Sequence, residues 1–100
     1  MTRTEHLLTI LAEECAEVAQ ECSKALRFGL DDMYSGVSVE FRISKELNDL
    51  RAVVDMLVEA GVLSDIAIYD PAATARKAAK VEEFLAYSAE RGRLTGERCD

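Results

Sequence analysis

The sequence has no tryptophan, one proline and one histidine, and only five of its 100 residues are glycine. Proline and glycine interrupt helices, so their scarcity favours long helical segments. No apolar run approaches the roughly 20 residues of a membrane-spanning helix, and the first residues lack the pattern of a secretory signal. Glycine-rich phosphate loops and Cys-x-x-Cys pairs are also missing. We therefore expect an all-α protein with no membrane partner.

Positive charge is scarce as well. Twelve lysines and arginines stand against 19 aspartates and glutamates, which gives a net charge of −7. A partner with a nucleic-acid backbone would require a basic patch, so we expect no nucleic-acid partner. A small phosphate ligand is not excluded, because bound metal ions can invert the local charge.

The cysteines Cys15, Cys22 and Cys99 are odd in number. Without a secretory signal, an odd number predicts reduced thiols and a cytoplasmic protein. Cys15 and Cys22 lie seven residues apart, which is no zinc spacing. We expect both of them in the core.

Start and stop signals divide the chain into three helices, at about 3–28, 38–60 and 71–91. Thr2 and Glu5 fit a capping box, Gly29 is a stop signal, and Asp70 followed by Pro71 fits the start of the third helix. We expect one domain over 1–100, with a flexible tail at 92–100. The connection 29–38 is a candidate lid, and 61–70 is either a packed loop or a short turn.

The first two helices are predicted to pair as an antiparallel hairpin, with the third packed beside them. Their apolar stripes comprise Leu7, Leu11, Val18 and Cys22 in the first helix and Ile43, Leu47, Leu50, Val54 and Leu57 in the second. The third has a weaker, alanine-rich face of Ala75, Ala78, Ala79, Phe84 and Leu85. Long, thin helices expose their stripes unless a second copy covers them. We expect a homodimer or homotetramer with a four-helix core.

Each of the first two helices carries two acids three residues apart, Glu14 with Glu17 and Glu46 with Asp49. Residues at this spacing are neighbours on one helix face. Both pairs, together with Glu21, lie within or beside the apolar stripe, whereas a solvated face should lie opposite it. Packed side by side, the pairs would bring four carboxylates together, and a hard divalent cation would relieve their repulsion.

Geometry alone leaves a second interpretation open, in which the acids form a salt-bridged face. Lys24, Arg42 and Lys45 are the available partners. Surface acids on helices are common, and exposed ion pairs need no metal.

The two acid pairs form the pattern Glu14-x-x-Glu17, then 28 residues, then Glu46-x-x-Asp49. This pattern resembles the motif of the all-α nucleoside triphosphate pyrophosphatases, the group that includes MazG and the all-α dUTP/dCTP pyrophosphatases. Glu13 matches the family's frequent Glu-Glu start. The Lys-x-x-Arg-Phe-Gly segment from Lys24 to Gly29 adds to the likeness, which spans about residues 7–60.

The resemblance implies an Mg²⁺-dependent enzyme, with Mn²⁺ as an alternative ion. It would cleave a nucleoside triphosphate between the α and β phosphates and release a monophosphate and pyrophosphate. The implied metal ligands are Glu14, Glu17, Glu46 and Asp49. Glu13 would be a further ligand or the base that orients the attacking water. The small MazG-like proteins that residues 7–60 resemble include phage proteins. We therefore expect a bacterial or phage-encoded protein.

Several other side chains are candidates for substrate binding, and each has a simpler interpretation. Lys24 and Arg27 would contact phosphates or merely complement the helix dipole. Phe28 would stack on the base or pack at the helix end. Asn48 would bind base or sugar, or hydrogen-bond a neighbour. Lys77 and Lys80 would reach phosphates or belong to a solvated face.

Two other functions remain open. A phosphoribosyl-ATP pyrophosphatase is similar in size and acid motif, although its flanking segments are not recognisable in this sequence. A non-catalytic helical oligomerisation module would carry the acids only as surface charge.

Overall fold

A computed structural model of the chain describes residues 1–95. It contains the helices α1 (Arg3–Phe28), α2 (Val39–Glu59), α3 (Asp65–Ile68) and α4 (Pro71–Glu90). Residues 1–95 include no strand, so the all-α prediction is confirmed. The predictions for Cys99 and for the end of the tail, 96–100, lie outside the described residues.

Local capping sets the boundaries of α1. The Thr2 hydroxyl accepts a hydrogen bond from the Glu5 N–H at 3.1 Å, and the Glu5 carboxylate accepts one from the Thr2 N–H at 2.7 Å. This is the predicted capping box, which satisfies two N–H groups that have no partner within the helix. At the other end, Gly29 adopts a φ of 97°. Glycine takes positive φ without strain, so the helix ends there.

The other two long helices begin with side-chain caps as well. The Ser38 hydroxyl accepts a hydrogen bond from the Phe41 N–H, and the Asp70 carboxylate accepts from the N–H groups of Ala72 and Ala73. Pro71 occupies the first turn of α4, where its missing N–H costs nothing. The observed bounds of the three long helices differ from the predicted ones by at most one residue.

Contacts divide the chain into two units, Met1–Asp65 and Ile66–Asp100. In the first unit, α1 and α2 form an antiparallel hairpin, as predicted. Its core consists of Leu7, Val53 and Leu57, with Ile10, Leu11 and Leu63 packed against it. Near the connecting loop, Glu21 of α1 contacts Arg42 of α2. The start of α1 therefore lies against the end of α2.

Some core predictions were wrong. Cys15 and Cys22 are exposed, and Leu47 is exposed too, whereas Val39 and Val53 are buried. The line of α1 that faces α2 runs through Leu7, Glu14 and Glu21, at intervals of seven. Each cysteine follows one of these acids, so it lies about 100° around the helix from that line.

The second unit contains the helix α4. The connection 61–70, for which the sequence left two interpretations, contains the short helix α3. No residue of α4 is buried. On its predicted apolar face, Phe84 is exposed and Leu85 is half-buried. The packing of a third helix beside the hairpin and the single domain over 1–100 stay predictions. Within residues 1–95, no helix is both long and apolar enough to cross a membrane.

Candidate metal centre

Three of the four predicted ligands come together between α1 and α2. Glu14 of α1 and Glu46 and Asp49 of α2 each place one carboxylate oxygen so that the three atoms lie within 4.8 Å of one another. All three residues are half-buried. We call these residues the acid cluster. Glu46 and Asp49 share a face because they are three residues apart, and the hairpin brings Glu14 opposite them.

The surroundings of the Glu14 carboxyl group disfavour its ionised form. Its Oε2 atom is buried and has no hydrogen-bond partner among the described residues. Burial, and then the negative charges of Asp49, Glu46 and Glu17, raise the pKa of Glu14 above its usual 4.5, against the opposing effect of Lys45. A buried polar atom without a partner is unfavourable, and native structures contain few of them.

These residues fit a divalent metal ion. The donors are all carboxylate oxygens, which Mg²⁺ and Mn²⁺ prefer. A cation bound among them would give the buried Glu14 oxygen a partner and would offset the repulsion within the acid cluster. The fit rests on three ligands, not on the four that the sequence pattern suggested.

The other predicted catalytic acids lie outside the acid cluster. Glu17 is exposed and is not among the three converging residues. Its charge nevertheless contributes to the raised pKa of Glu14. Glu13 is also exposed. The metal-ligand role of Glu17 and the base role of Glu13 stay predictions.

A lysine neutralises part of the acid cluster. The Nζ atom of Lys45 lies 2.9 Å from Asp49 Oδ2 and 3.6 Å from Glu46 Oε1. The hydrogen bond to Asp49, followed by the charges of Asp49 and Glu46, raises the pKa of Lys45. The structure thus contains both features that the sequence had offered as alternatives, converging acids and a salt bridge to them.

A second ionic cluster lies toward the connecting loop. The Glu21 side chain is only 2% exposed, and Arg42 binds it with two hydrogen bonds, Nε to Oε1 at 3.0 Å and Nη2 to Oε2 at 2.8 Å. We call this pair the clamp. These bonds hold the pKa of Glu21 below its usual value, although burial opposes them. The third nitrogen of Arg42 donates to the Ser35 hydroxyl at 3.0 Å, so the clamp also holds the loop.

The sequence places Glu21 beside the acid pairs but does not specify its partner. The available signal was its position seven residues after Glu14, on the line that faces α2. Of the three candidate cations on the hairpin, Arg42 forms the bidentate pair with Glu21, and Lys24 lies 3.5 Å from the same carboxylate.

The predicted substrate-binding residues of α1 contact the loop and one another. Lys24 lies 5.5 Å from the centre of the Tyr34 ring, Arg27 lies 5.0 Å from the centre of the Phe28 ring, and the Phe28 and Tyr34 rings are 6.2 Å apart. Phe28 therefore packs against neighbouring side chains at the end of α1, although about half of its surface is exposed. These distances suit cation–π and aromatic contacts.

For the remaining substrate-binding candidates, Asn48, Lys77 and Lys80, the structure shows only their local surroundings. The Asn48 amide donates to the Ser44 carbonyl at 3.0 Å, one turn earlier in α2. Lys77 and Lys80 are exposed residues of α4 in the second unit. Their substrate-binding roles stay predictions.

Searches against models of known protein families, against curated proteins and against solved structures find no match for this chain.

Proposed function

We propose that this protein is a metal-dependent nucleoside triphosphate pyrophosphohydrolase, which cleaves between the α and β phosphates to give a monophosphate and pyrophosphate. The observation that carries the proposal is the acid cluster. Its three carboxylates come from two helices, and one oxygen of each lies within 4.8 Å of the other two. One Glu14 oxygen is buried and has no hydrogen-bond partner within residues 1–95. The sequence resemblance adds the reaction type to this metal-binding geometry.

In this proposal Glu14, Glu46 and Asp49 hold Mg²⁺ or Mn²⁺. Such an ion, when bound, stabilises charge on a phosphoryl group and lowers the pKa of bound water. The chain itself contributes rigidity, because phosphoryl transfer depends chiefly on positioning and charge stabilisation. The clamp fixes α1 against α2 on one side of the acid cluster, and the core around Leu57 fixes them on the other.

Glu13 and Glu17 have supporting roles in the proposed reaction. Glu17 lies one turn after Glu14, and its carboxylate acts electrostatically on the acid cluster. We assign it the role of a further ligand, while Glu13 orients the attacking water or serves as another ligand. Lys24 and Arg27 supply positive charge for the phosphates, and Phe28 an aromatic surface for the base.

Product analysis tests the proposal. The purified chain is incubated with ribo- and deoxynucleoside triphosphates, with Mg²⁺ and with chelator, and the products are identified. We expect metal-dependent release of monophosphate and pyrophosphate. Diphosphate with phosphate would keep a metal-dependent hydrolase but refute the pyrophosphohydrolase assignment.

Matched variants tie the activity to the acid cluster. Glu46→Gln removes one charge from it, whereas Glu59→Gln removes one charge from an exposed position on the same helix. We expect loss of turnover in Glu46→Gln alone. Glu17→Gln then decides the role of the fourth acid, since full activity in this variant would contradict its assignment as a ligand.

The alternatives are outcomes of the same experiment. Turnover of phosphoribosyl-ATP, with no turnover of the common triphosphates, would point to the related pyrophosphatase. No turnover of any substrate, together with no effect of metal on stability, would favour the non-catalytic module. Cation-dependent stabilisation that Glu46→Gln abolishes would count against the module.

We also propose that the protein works as a homodimer or homotetramer in a bacterial or phage-infected cytoplasm. Large apolar side chains of the hairpin are exposed, among them Leu26, Phe41 and Leu47. A second copy of the chain would bury such residues. Light scattering on the purified chain should give a mass of two or four times 11.0 kDa, and a monomer at micromolar concentration would refute the proposal.

A further inference from the structure

We propose that Lys45 is an intramolecular counter-ion of the acid cluster, which pairs with Glu46 and Asp49 in the metal-free protein and is displaced when a divalent cation binds. The inference rests on the proposed metal site and concerns how that site is regulated. It assigns a role to a residue that the proposed reaction does not use.

Within residues 1–95, Lys45 forms salt bridges with two of the proposed ligands, Glu46 and Asp49, and with no other acid. Its ammonium lies 2.9 Å from Asp49 and 3.6 Å from Glu46. Its positive charge also acts on Glu14, the ligand from the other helix, since it opposes the rise in the pKa of that carboxyl. One cation thus interacts with all three residues of the acid cluster.

The pairing is weak enough to be displaced. The Lys45 side chain is 58% exposed and that of Asp49 is 43% exposed, so water screens their attraction. Lysine also precedes the acid by four residues, the less favourable of the two orders for such a pair on a helix. The long side chain can move into solvent, whereas the carboxylates belong to packed helices.

Competition follows from charge. A divalent cation bound among the three carboxylates would repel the ammonium of Lys45. Both cations also use oxygens of Glu46 and Asp49 as partners. Binding of the metal therefore requires Lys45 to leave. An exposed ion pair of this kind is expected to weaken metal binding by about two- to fivefold, and this effect should shrink as salt is added.

Mn²⁺ binding without nucleotide tests the inference, with free Mn²⁺ measured by electron paramagnetic resonance. Lys45→Met keeps the length of the side chain but removes its charge. The control Arg51→Met also removes a positive charge, which pairs with Asp55 at 3.9 Å. Arg51 follows Asp49 by two residues, so it lies about 200° around the helix from Asp49. Circular dichroism verifies that both variants are folded.

We expect Lys45→Met to bind Mn²⁺ about two- to fivefold more tightly than the unmodified protein at low salt, with the difference closing at high salt. Its metal-free form should melt at a lower temperature, because the acids have lost their counter-ion. Arg51→Met should bind Mn²⁺ as the unmodified protein does, or less than twofold more tightly.

Two results would overturn the inference in distinguishable ways. Equal or weaker Mn²⁺ binding by Lys45→Met would show that Lys45 is not displaced, and the proposed metal site would stand. No saturable Mn²⁺ binding by either the unmodified protein or Lys45→Met would overturn the metal site, and the role of Lys45 with it.

Discussion

The clamp offers the sharpest test of how the hairpin is held in register. Arg42→Met removes the guanidinium and leaves the Glu21 carboxylate, 2% exposed, without its two short hydrogen bonds. The methionine side chain still covers part of the same surface. The hydrogen bond to Ser35 is lost as well, so the connecting loop loses one of its attachments to α2.

The magnitude follows from the burial of Glu21. Removing one partner of a buried ion pair generally costs about 3–5 kcal/mol, because the remaining charge is left uncompensated. Lys24 stays 3.5 Å from the Glu21 carboxylate and compensates part of the loss. We therefore expect the free energy of unfolding to fall by about 3 kcal/mol, near the lower end of that range.

Replacing both members should restore most of the stability. In the double variant Glu21→Leu/Arg42→Met no charge is left buried, and apolar replacements of buried ion pairs are often neutral or stabilising. We expect its stability to lie within about 1 kcal/mol of that of the unmodified protein. This recovery separates the effect of an unpaired charge from a general loss of packing.

Urea denaturation followed by circular dichroism at 222 nm measures these differences, and hydrogen exchange at the amides of α1 and α2 localises them to the hairpin. A change below about 1 kcal/mol in Arg42→Met would refute the reasoning, since that is the range of exposed ion pairs. So would a double variant less stable than Arg42→Met.

The pH dependence provides an independent check. The pKa of Glu21 is lowered in the folded protein, so the clamp stabilises fully above the unfolded value of about 4.5. This stabilisation is lost as the pH falls below 4.5 and through the lowered folded pKa. In Arg42→Met, burial without the guanidinium should raise the pKa of Glu21, and the variant should lose less stability on acidification. Parallel acid profiles of the two proteins would contradict this assignment.

Two further predictions concern the acid cluster and the core. Glu14→Gln should raise the melting temperature of the metal-free protein at pH 7 and abolish stabilisation by Mg²⁺. The raised pKa of Glu14 means that its ionised form is disfavoured in the folded state. The rise in melting temperature should therefore vanish as the pH falls below about 4.5. An unchanged melting temperature of the metal-free variant at pH 7 would count against this prediction. Leu57→Ala empties a fully buried position beside Leu7 and Val53 and should lower the free energy of unfolding by about 3 kcal/mol in urea denaturation. The control Ile66→Ala, at an 82% exposed position outside the hairpin, should change it by less than about 0.5 kcal/mol.

The sequence by itself determined where the helices begin and end. Thr2 with Glu5, Gly29, and Asp70 with Pro71 act on backbone groups within a few residues of themselves, so their effect is readable without any knowledge of the fold. The spacing of the acids likewise showed which pairs share a helix face. Burial was harder to predict, as Cys15 and Cys22 show, because a helix with apolar residues on more than one side offers several faces to its partner.

Only the tertiary structure decided which charges meet. The candidate cluster of four acids became three, with Glu17 outside it, and Glu21 received Arg42 from 21 positions along the chain. Such pairings depend on the register of α1 against α2, which the packing of Leu7 with Val53 and Leu57 sets. A local pattern places a side chain on a face of its own helix, but the residue opposite is chosen by contacts between segments far apart in sequence.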